Sequence, residues 1–491
     1  MSTWLVASIL ILYFGALVLI GFITSRKATS STFFTGNRQS PWYLVAFGMI
    51  GASLSGVTFI SVPGMVINES MAYFQVILGY IIGYIVIAKV LMPVYYKLNL
   101  ISIYEFLGQR FGLWSHKTGA AFFILSRTLG SAMRLYLATL VLQLFLFDGL
   151  GVPYWVTAVA TVVLIWIYTF KGGIRTIVFT DTFQTFFLVS AVVISVVIIS
   201  KTLGLNLFEL FGKITDSKNI HGESLSKIFF FENYKSALFF PKQFFGGAFL
   251  AITMTGLDQD LMQKNLTCRN IKDAQKNMYS FTAVLVVVTF LFLLLGGALY
   301  VYAGANGLAL PTDANGSIIS DRVFPTLAMG EFGTLAGIFF LLGITASSYA
   351  SADSALAALT TGFCIDFLNF RKRTEKQKQL IKLFVHIGFS LLFLAIILIM
   401  KEVASKDLIS IVLTVASYTY GPLLGLFFFG IITRRKITDK LTPLVCIVAP
   451  MLCYILSSNS AQWFGGYVFG YELLILNGII TYTGLWIISR K

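Results

Sequence analysis

Charge is what this sequence is short of. Asp, Glu, Lys and Arg make up 12% of its 491 residues, about half the share of an ordinary soluble domain. A chain of this length folding in water would form several domains, and there is too little charge here to coat them. Cysteine is scarce too. Cys268, Cys364, Cys446 and Cys453 form no CxxC pair, which excludes a disulfide-stapled scaffold and reads as four reduced thiols. Histidine is scarcer still. His116, His221 and His386 show no metal-binding spacing, and no nucleophile–base constellation accompanies them, so the chain does not read as an enzyme. A P-loop is lacking, which speaks against ATP-driven transport on this chain and implies no ATPase partner.

What is present is apolar. Hydrophobic residues are 57% and aromatics 15%, with a mean hydropathy of +0.83. The chain is predicted to be an all-α polytopic membrane protein whose surroundings are a lipid bilayer. A net charge of +15 would suggest nucleic acid in a soluble protein. Here it reads as Lys and Arg retained on the cytoplasmic side, with no nucleic-acid partner.

A span needs about 20 mostly apolar residues. Thirteen candidates lie near 3–24, 42–66, 72–96, 119–147, 152–170, 177–201, 239–262, 277–303, 333–365, 379–400, 407–433, 441–458 and 465–488. They leave no soluble domain over, so residues 1–491 read as a single transporter-sized membrane domain. One set of loops is basic: Arg26, Lys27 and Arg38; Lys97, Arg110 and Lys117; Lys171 and Arg175; Lys264, Arg269, Lys272 and Lys276; Arg371, Lys372, Arg373, Lys376, Lys378 and Lys382; Arg434, Arg435, Lys436 and Lys440. The alternating set carries Glu69, Asp148, Asp313 and Asp321 instead. The basic set is placed in the cytoplasm, with the N-terminus outside, Arg490 and Lys491 inside, and the whole in a plasma (inner) membrane. No basic n-region precedes the first apolar run, so it reads as a first span rather than a signal peptide.

Two spans are unlike lipid-facing helices. The second runs through Gly48, Gly51, Ala52, Ser53, Ser55, Gly56 and Thr58 to Pro63-Gly64; the seventh carries Gly246-Gly247 and then Thr253, Thr255 and Gly256. Small residues at such density permit close helix packing. They also suit helices that break at mid-membrane, where unwound backbone frees carbonyls for a cation and amides for a solute. Such breaks are tolerated only beside a cavity. The second and seventh positions are five spans apart, the spacing of two inverted repeats that each begin with a broken helix.

Several stretches together resemble the sodium/solute symporter family. Gly172-Gly173 through Val178, Thr180-Asp181 and Gln184 is similar to its GG-x-x-x-V-x-x-T-D-x-x-Q signature. Glu105-Phe106-Leu107 with Arg110-Phe111 resembles its EFL..RF loop. Asp258-Gln259 with Gln263-Lys264 resembles its DQ…QR element, and Phe33 with Gly36 and Arg38 its FxxGxR. A serine-rich ninth span ends at Asp366, as in the family. The resemblance covers nearly the whole chain. It implies a five-plus-five inverted repeat (LeuT-type), with repeats over 42–201 and 239–433, one extra N-terminal helix (3–24) and two extra C-terminal helices (441–488). It also implies sodium-coupled import of a small polar solute by alternating access: sialic acid, another organic anion, a sugar or an amino acid.

Carried onto this chain, the family's shared sodium site falls on the carbonyls of Gly51 and Leu54 at the second-span break and on Ser347, Ala350 and Ser351 of the ninth. Sodium is a hard cation that favours oxygen ligands. Ala350 departs from the family's Ser or Thr, so a neighbour of Ser347 or a water must supply the missing oxygen. A three-residue shift would instead bring Ser347 and Ser348 into line, at the cost of the spacing to Asp366. A second sodium, present in some family members, would lie among Asp181, Asp353 and Ser354. Asp181 and Asp353 are the carboxylates this reading places inside the membrane, where a lone charge is costly.

For the solute, Ser53, Ser55 and Thr58 ring the break. Arg127 and Arg134, seven apart on one helix face, both qualify as partners of an anion, and the sequence does not choose between them. Gln75, Tyr80 and Phe249 are candidate liners. The competing reading is a sodium-independent channel or uniporter on the same bundle, although no repeated filter motif is visible.

Overall fold

The computed structural model describes residues 3–490 apart from 27–28, 314, 369, 371–372 and 404–407. Lys27, Arg371, Lys372 and Lys491, counted above among the basic residues, lie outside the described residues. The chain is helical nearly throughout. Its main helices are α1 (Thr3–Ser25), α2 (Trp42–Ser53), α3 (Gly56–Gly64), α4 (Tyr73–Val86), α5 (Glu105–Arg110), α6 (Leu113–Leu142), α7 (Tyr154–Thr169) and α8 (Ile174–Thr202). There follow α9 (Leu207–Asp216), α10 (Phe240–Ala251), α11 (Gln259–Asn265), α12 (Ile271–Ala305), α13 (Ser320–Gly330) and α14 (Gly333–Phe367). The last are α15 (Glu375–Val403), α16 (Leu408–Ile432), α17 (Thr442–Ser458) and α18 (Leu473–Ile487). Among the described residues the only paired strands are Lys436–Ile437 and Ser489–Arg490, which tie the C-terminus to the α16–α17 connection.

Among the described residues eight helical runs, with α4 counted through to Lys97, are long and apolar enough to cross a membrane, and nine if α2 and α3 form one bent span. The four other expected spans miss those limits for physical reasons. Helix α6 carries Arg127 and Arg134, α7 and α18 have only 16 and 15 residues, and the seventh span is broken between α10 and α11.

Both interruptions are present. Helices α2 and α3 meet at 63°. Leu54 leaves helical geometry (φ −87°, ψ 79°) and Ser55 enters α3 in extended conformation. The turn comes before Ser55 can donate back to Gly51, so the carbonyls of Gly51 and Leu54 lose their helical partners. The seventh span passes from α10 through a π-turn (Ile252–Gly256) to Leu257 and Asp258. There the Asp258 side chain accepts from Asp260 N–H and starts α11. The two breaks differ in one respect. In the seventh, the freed carbonyls are already taken: Tyr95 donates to Gly256 O at 2.9 Å and Tyr104 to Leu257 O at 2.8 Å.

Close packing is present as well. A Cβ on Gly247 would strike the Val76 carbonyl of α4, and one on Gly56 would strike Ser348 Oγ of α14. Helix α14 is the axis of the bundle, packed by α8, α6, α2 and α3. Every residue from Phe340 to Gly362 on it is buried. All four cysteines are buried and free.

Candidate functional site

The second-span break opens onto a cavity with mixed polar and apolar walls. Ser53, Ser55 and Thr58 line it from the break, and Tyr73, Tyr80 and Tyr84 from α4. Arg127 and Arg134 line it from α6, and Met254 and Thr255 from the seventh-span π-turn. Two expected liners stand elsewhere. Gln75 donates to Leu238 O and accepts from Phe230 N–H, so it pins the 203–239 loop. Phe249 packs its ring against Phe428. Both misplacements come from the rotation of α4 and α10 about their axes, which composition does not reveal. Tyr73 and Tyr84 were missed because, in a chain with 22 Tyr, a tyrosine carries little signal by itself.

The two arginines are not equivalent. Arg127 is ion-paired to Asp260 and lies 3.9 Å from Asp258 Oδ2. Asp260 also accepts from Ser354, and Asp258 accepts from Tyr420. Arg127 is therefore fixed in a buried network joining α6, α11, α14 and α16. Arg134 has no carboxylate within ion-pair distance among the described residues. Its nearest polar contact is Ser351 Oγ, 3.4 Å from Nη1.

At the break itself, Ser347 and Ser348 face Gly56. Ser347 Oγ donates to Ile344 O at 3.1 Å. Ser348 Oγ is buried without a partner among the described residues. Ala350 is buried and has no oxygen on its side chain to offer. Ser348, the neighbour of Ser347, thus stands at the break with a free hydroxyl among the described residues. The Gly51 N–H is bonded to Thr185 Oγ1 at 3.0 Å, locking α2 onto α8.

The expected second cation site is assembled differently. Asp181 is paired with Lys264 Nζ at 2.5 Å, with both side chains at 1% exposure or less. Asp353 accepts from the Tyr168 hydroxyl at 2.8 Å. Ser354 does not join them, because its hydroxyl is committed to Asp260. Lys264, counted with the basic loop residues above, is instead buried inside the bundle. The buried acids are also more numerous than expected: Asp258 and Asp260 join Asp181 and Asp353 at 0% exposure. Their place within the DQ…QR-like stretch was the available signal. Assigning it to the end of a span hid their depth.

Hydrogen bonds tie the helices together at the end of the bundle that carries the basic loops. Ser102 donates to Asp366 Oδ2 at 2.7 Å, and His116 Nε2 lies 2.8 Å from Oδ1. Gln259 exchanges hydrogen bonds with Ile101 and Ile103.

Comparison with known proteins bears on this arrangement. The sodium:solute symporter family model matches residues 33–439. A sodium/sialic acid symporter, NanT of Aliivibrio fischeri, is 25% identical over 483 residues, 96% of this chain and 91% of that protein. Sodium-coupled monocarboxylate transporter 1 of Xenopus laevis is 27% identical over 422 residues, 84% of this chain and 64% of that protein. Among solved structures, a sodium-coupled sialic acid symporter in a substrate-bound, outward-open state superposes with a TM-score of 0.81. It does so at 20% identity, covering 99% of this chain and 98% of that one. Mhp1, a nucleobase-cation-symport-1 transporter in a closed conformation, reaches 0.54 at 16% identity, covering 93% of each chain. The fold is thus that of these LeuT-type symporters.

Proposed function

Because this chain belongs to the sodium:solute symporter family and is a sodium-coupled symporter rather than an enzyme, we propose that its cargo is a small organic anion taken up with sodium. One observation carries the anionic reading: of the two guanidiniums in the cavity wall, Arg127 is ion-paired to Asp260 and lies close to Asp258, whereas Arg134 has no carboxylate within ion-pair distance among the described residues. A half-buried cation without an ion-pair partner is costly, and a carboxylate cargo relieves that cost through a charge-assisted pair. Ser53, Ser55 and Thr58 supply hydroxyls, and Tyr73, Tyr80 and Tyr84 give the other wall. Sialic acids and monocarboxylates, the cargoes in the names of two relatives, are both carboxylates.

Sodium sits at the second-span break. Its ligands are the carbonyls of Gly51, Leu54 and Ser347 and the Ser351 hydroxyl, with Ser348 supplying the oxygen that Ala350 lacks. The two repeats are 42–201 and 239–433, with 3–24 and 441–488 outside them, thirteen spans in all. The N-terminus is outside and the C-terminus in the cytoplasm of a plasma membrane.

The test is thermal-shift screening of the purified chain against sialic acids, short monocarboxylates, neutral sugars and amino acids, in sodium and in potassium. Carboxylates are expected to stabilise it, and only with sodium. Stabilisation by neutral sugars alone overturns the anionic reading. Equal stabilisation in potassium, followed by equal uptake in sodium-free liposomes, points to a uniporter.

A further inference from the structure

We propose that the Lys264 ammonium is the resident, tethered cation of Asp181, and that the solute-free carrier therefore takes up a single sodium. The inference rests on the sodium-symport reading and concerns how many ions that reading involves.

An ionised carboxylate inside a membrane bundle requires a counter-charge. Asp181 has one from the chain itself: Lys264 Nζ at 2.5 Å, with neither group open to water. The lysine is not free to leave. It lies on α11, a short helix fixed at its start by the Asp258 cap. Next to it, Gln263 bonds Phe34 O and Thr361 Oγ1. The Lys264 carbonyl accepts from Thr267 Oγ1 at 2.7 Å. A cation held in contact by such a frame has paid its entropy of association in folding, whereas a sodium ion arriving from solution has not. Sodium would have to displace the ammonium and leave it buried and unpaired, which is strongly unfavourable.

The ion count follows from the places available. Asp181 is occupied by the chain's own ammonium, and Ser354, the hydroxyl expected beside it, is committed to Asp260. The helix break, with the carbonyls of Gly51 and Leu54 released, is the place left for a sodium ion.

Saturable binding of radioactive sodium to the purified, full-length, solute-free chain tests this. Wild type and Lys264→Arg are expected to bind about one sodium each. Lys264→Ala empties the place beside Asp181 and is expected to bind about two. Lys264→Ala combined with Asp181→Asn is expected to return to about one, and it also serves if the single variant folds poorly. Two saturable sodium ions in wild type overturn the inference while leaving sodium coupling intact. A count that stays at one in folded Lys264→Ala overturns it as well, since no cation place was vacated. If wild type binds no sodium at all, the symport reading itself falls, a result distinct from either.

Discussion

Nη1 of Arg134 lies 3.4 Å from Oγ of Ser351. The guanidinium left free for an anion therefore stands against the helix that carries the proposed sodium hydroxyls. A positive charge there opposes sodium, and an anionic solute on Arg134 removes that opposition. Binding of the two cargoes is then mutually reinforcing, and such coupling is reciprocal, of the order of 1–3 kcal/mol.

Arg134→Ala is accordingly expected to do two things. It abolishes stabilisation by the carboxylate solute, and it tightens sodium binding in the solute-free protein by about fivefold or more. Sodium titrations of melting temperature read both. A sodium midpoint that is unchanged or weaker in the variant would show that the contact carries no repulsion.

Arg127→Ala should behave differently, because its partners remain buried. Leaving Asp258 and Asp260 without their cation is expected to cost about 3–5 kcal/mol of stability. The double variant Arg127→Ala/Asp260→Asn should recover part of that loss. The check is denaturation of the detergent-solubilised protein. An Arg127→Ala variant as stable as wild type, but unable to bind solute, would move the anion site to Arg127.

Ser348 and Ser351 are expected to contribute comparably to sodium binding. Ser348→Ala and Ser351→Ala should each weaken sodium affinity by roughly tenfold, the scale of one lost polar contact of about 1.4 kcal/mol. Ala350→Ser adds an oxygen and should strengthen it. Sodium-dependent uptake or thermal shift measures all three. Full affinity in Ser348→Ala would return the role to a water or to the Ala350 register.

Orientation is tested by fusion. A reporter active only in the cytoplasm, attached after Lys491, should be active. A periplasm-only reporter working at the same place would reverse the assignment and change the span count by an odd number.

Some of this protein was written in composition and order alone. The lack of charge excludes a water-soluble fold, because exposed apolar surface on this scale has no solvent other than lipid. The clustering of Gly with Ser or Thr at the second and seventh spans marks where the helices break, because the backbone leaves helical geometry most readily where side chains are small. Ser53, Ser55, Thr58, Arg127 and Arg134 reach the cavity as that local reading expects, since they lie at a break or share a helix face. What the sequence could not decide was which side chain answers which across the bundle. Lys264 reads as a loop lysine, Ser354 as a cation ligand, Gln75 and Phe249 as cavity liners, and the two arginines as equals. Each of these depends on how far one helix is rotated and shifted against another. That is set by the packing of many apolar side chains at once, most of it around α14. Only that packing brings Asp260 to Arg127 and to Ser354, and Asp181 to Lys264. It leaves Arg134 with no carboxylate within ion-pair distance among the described residues.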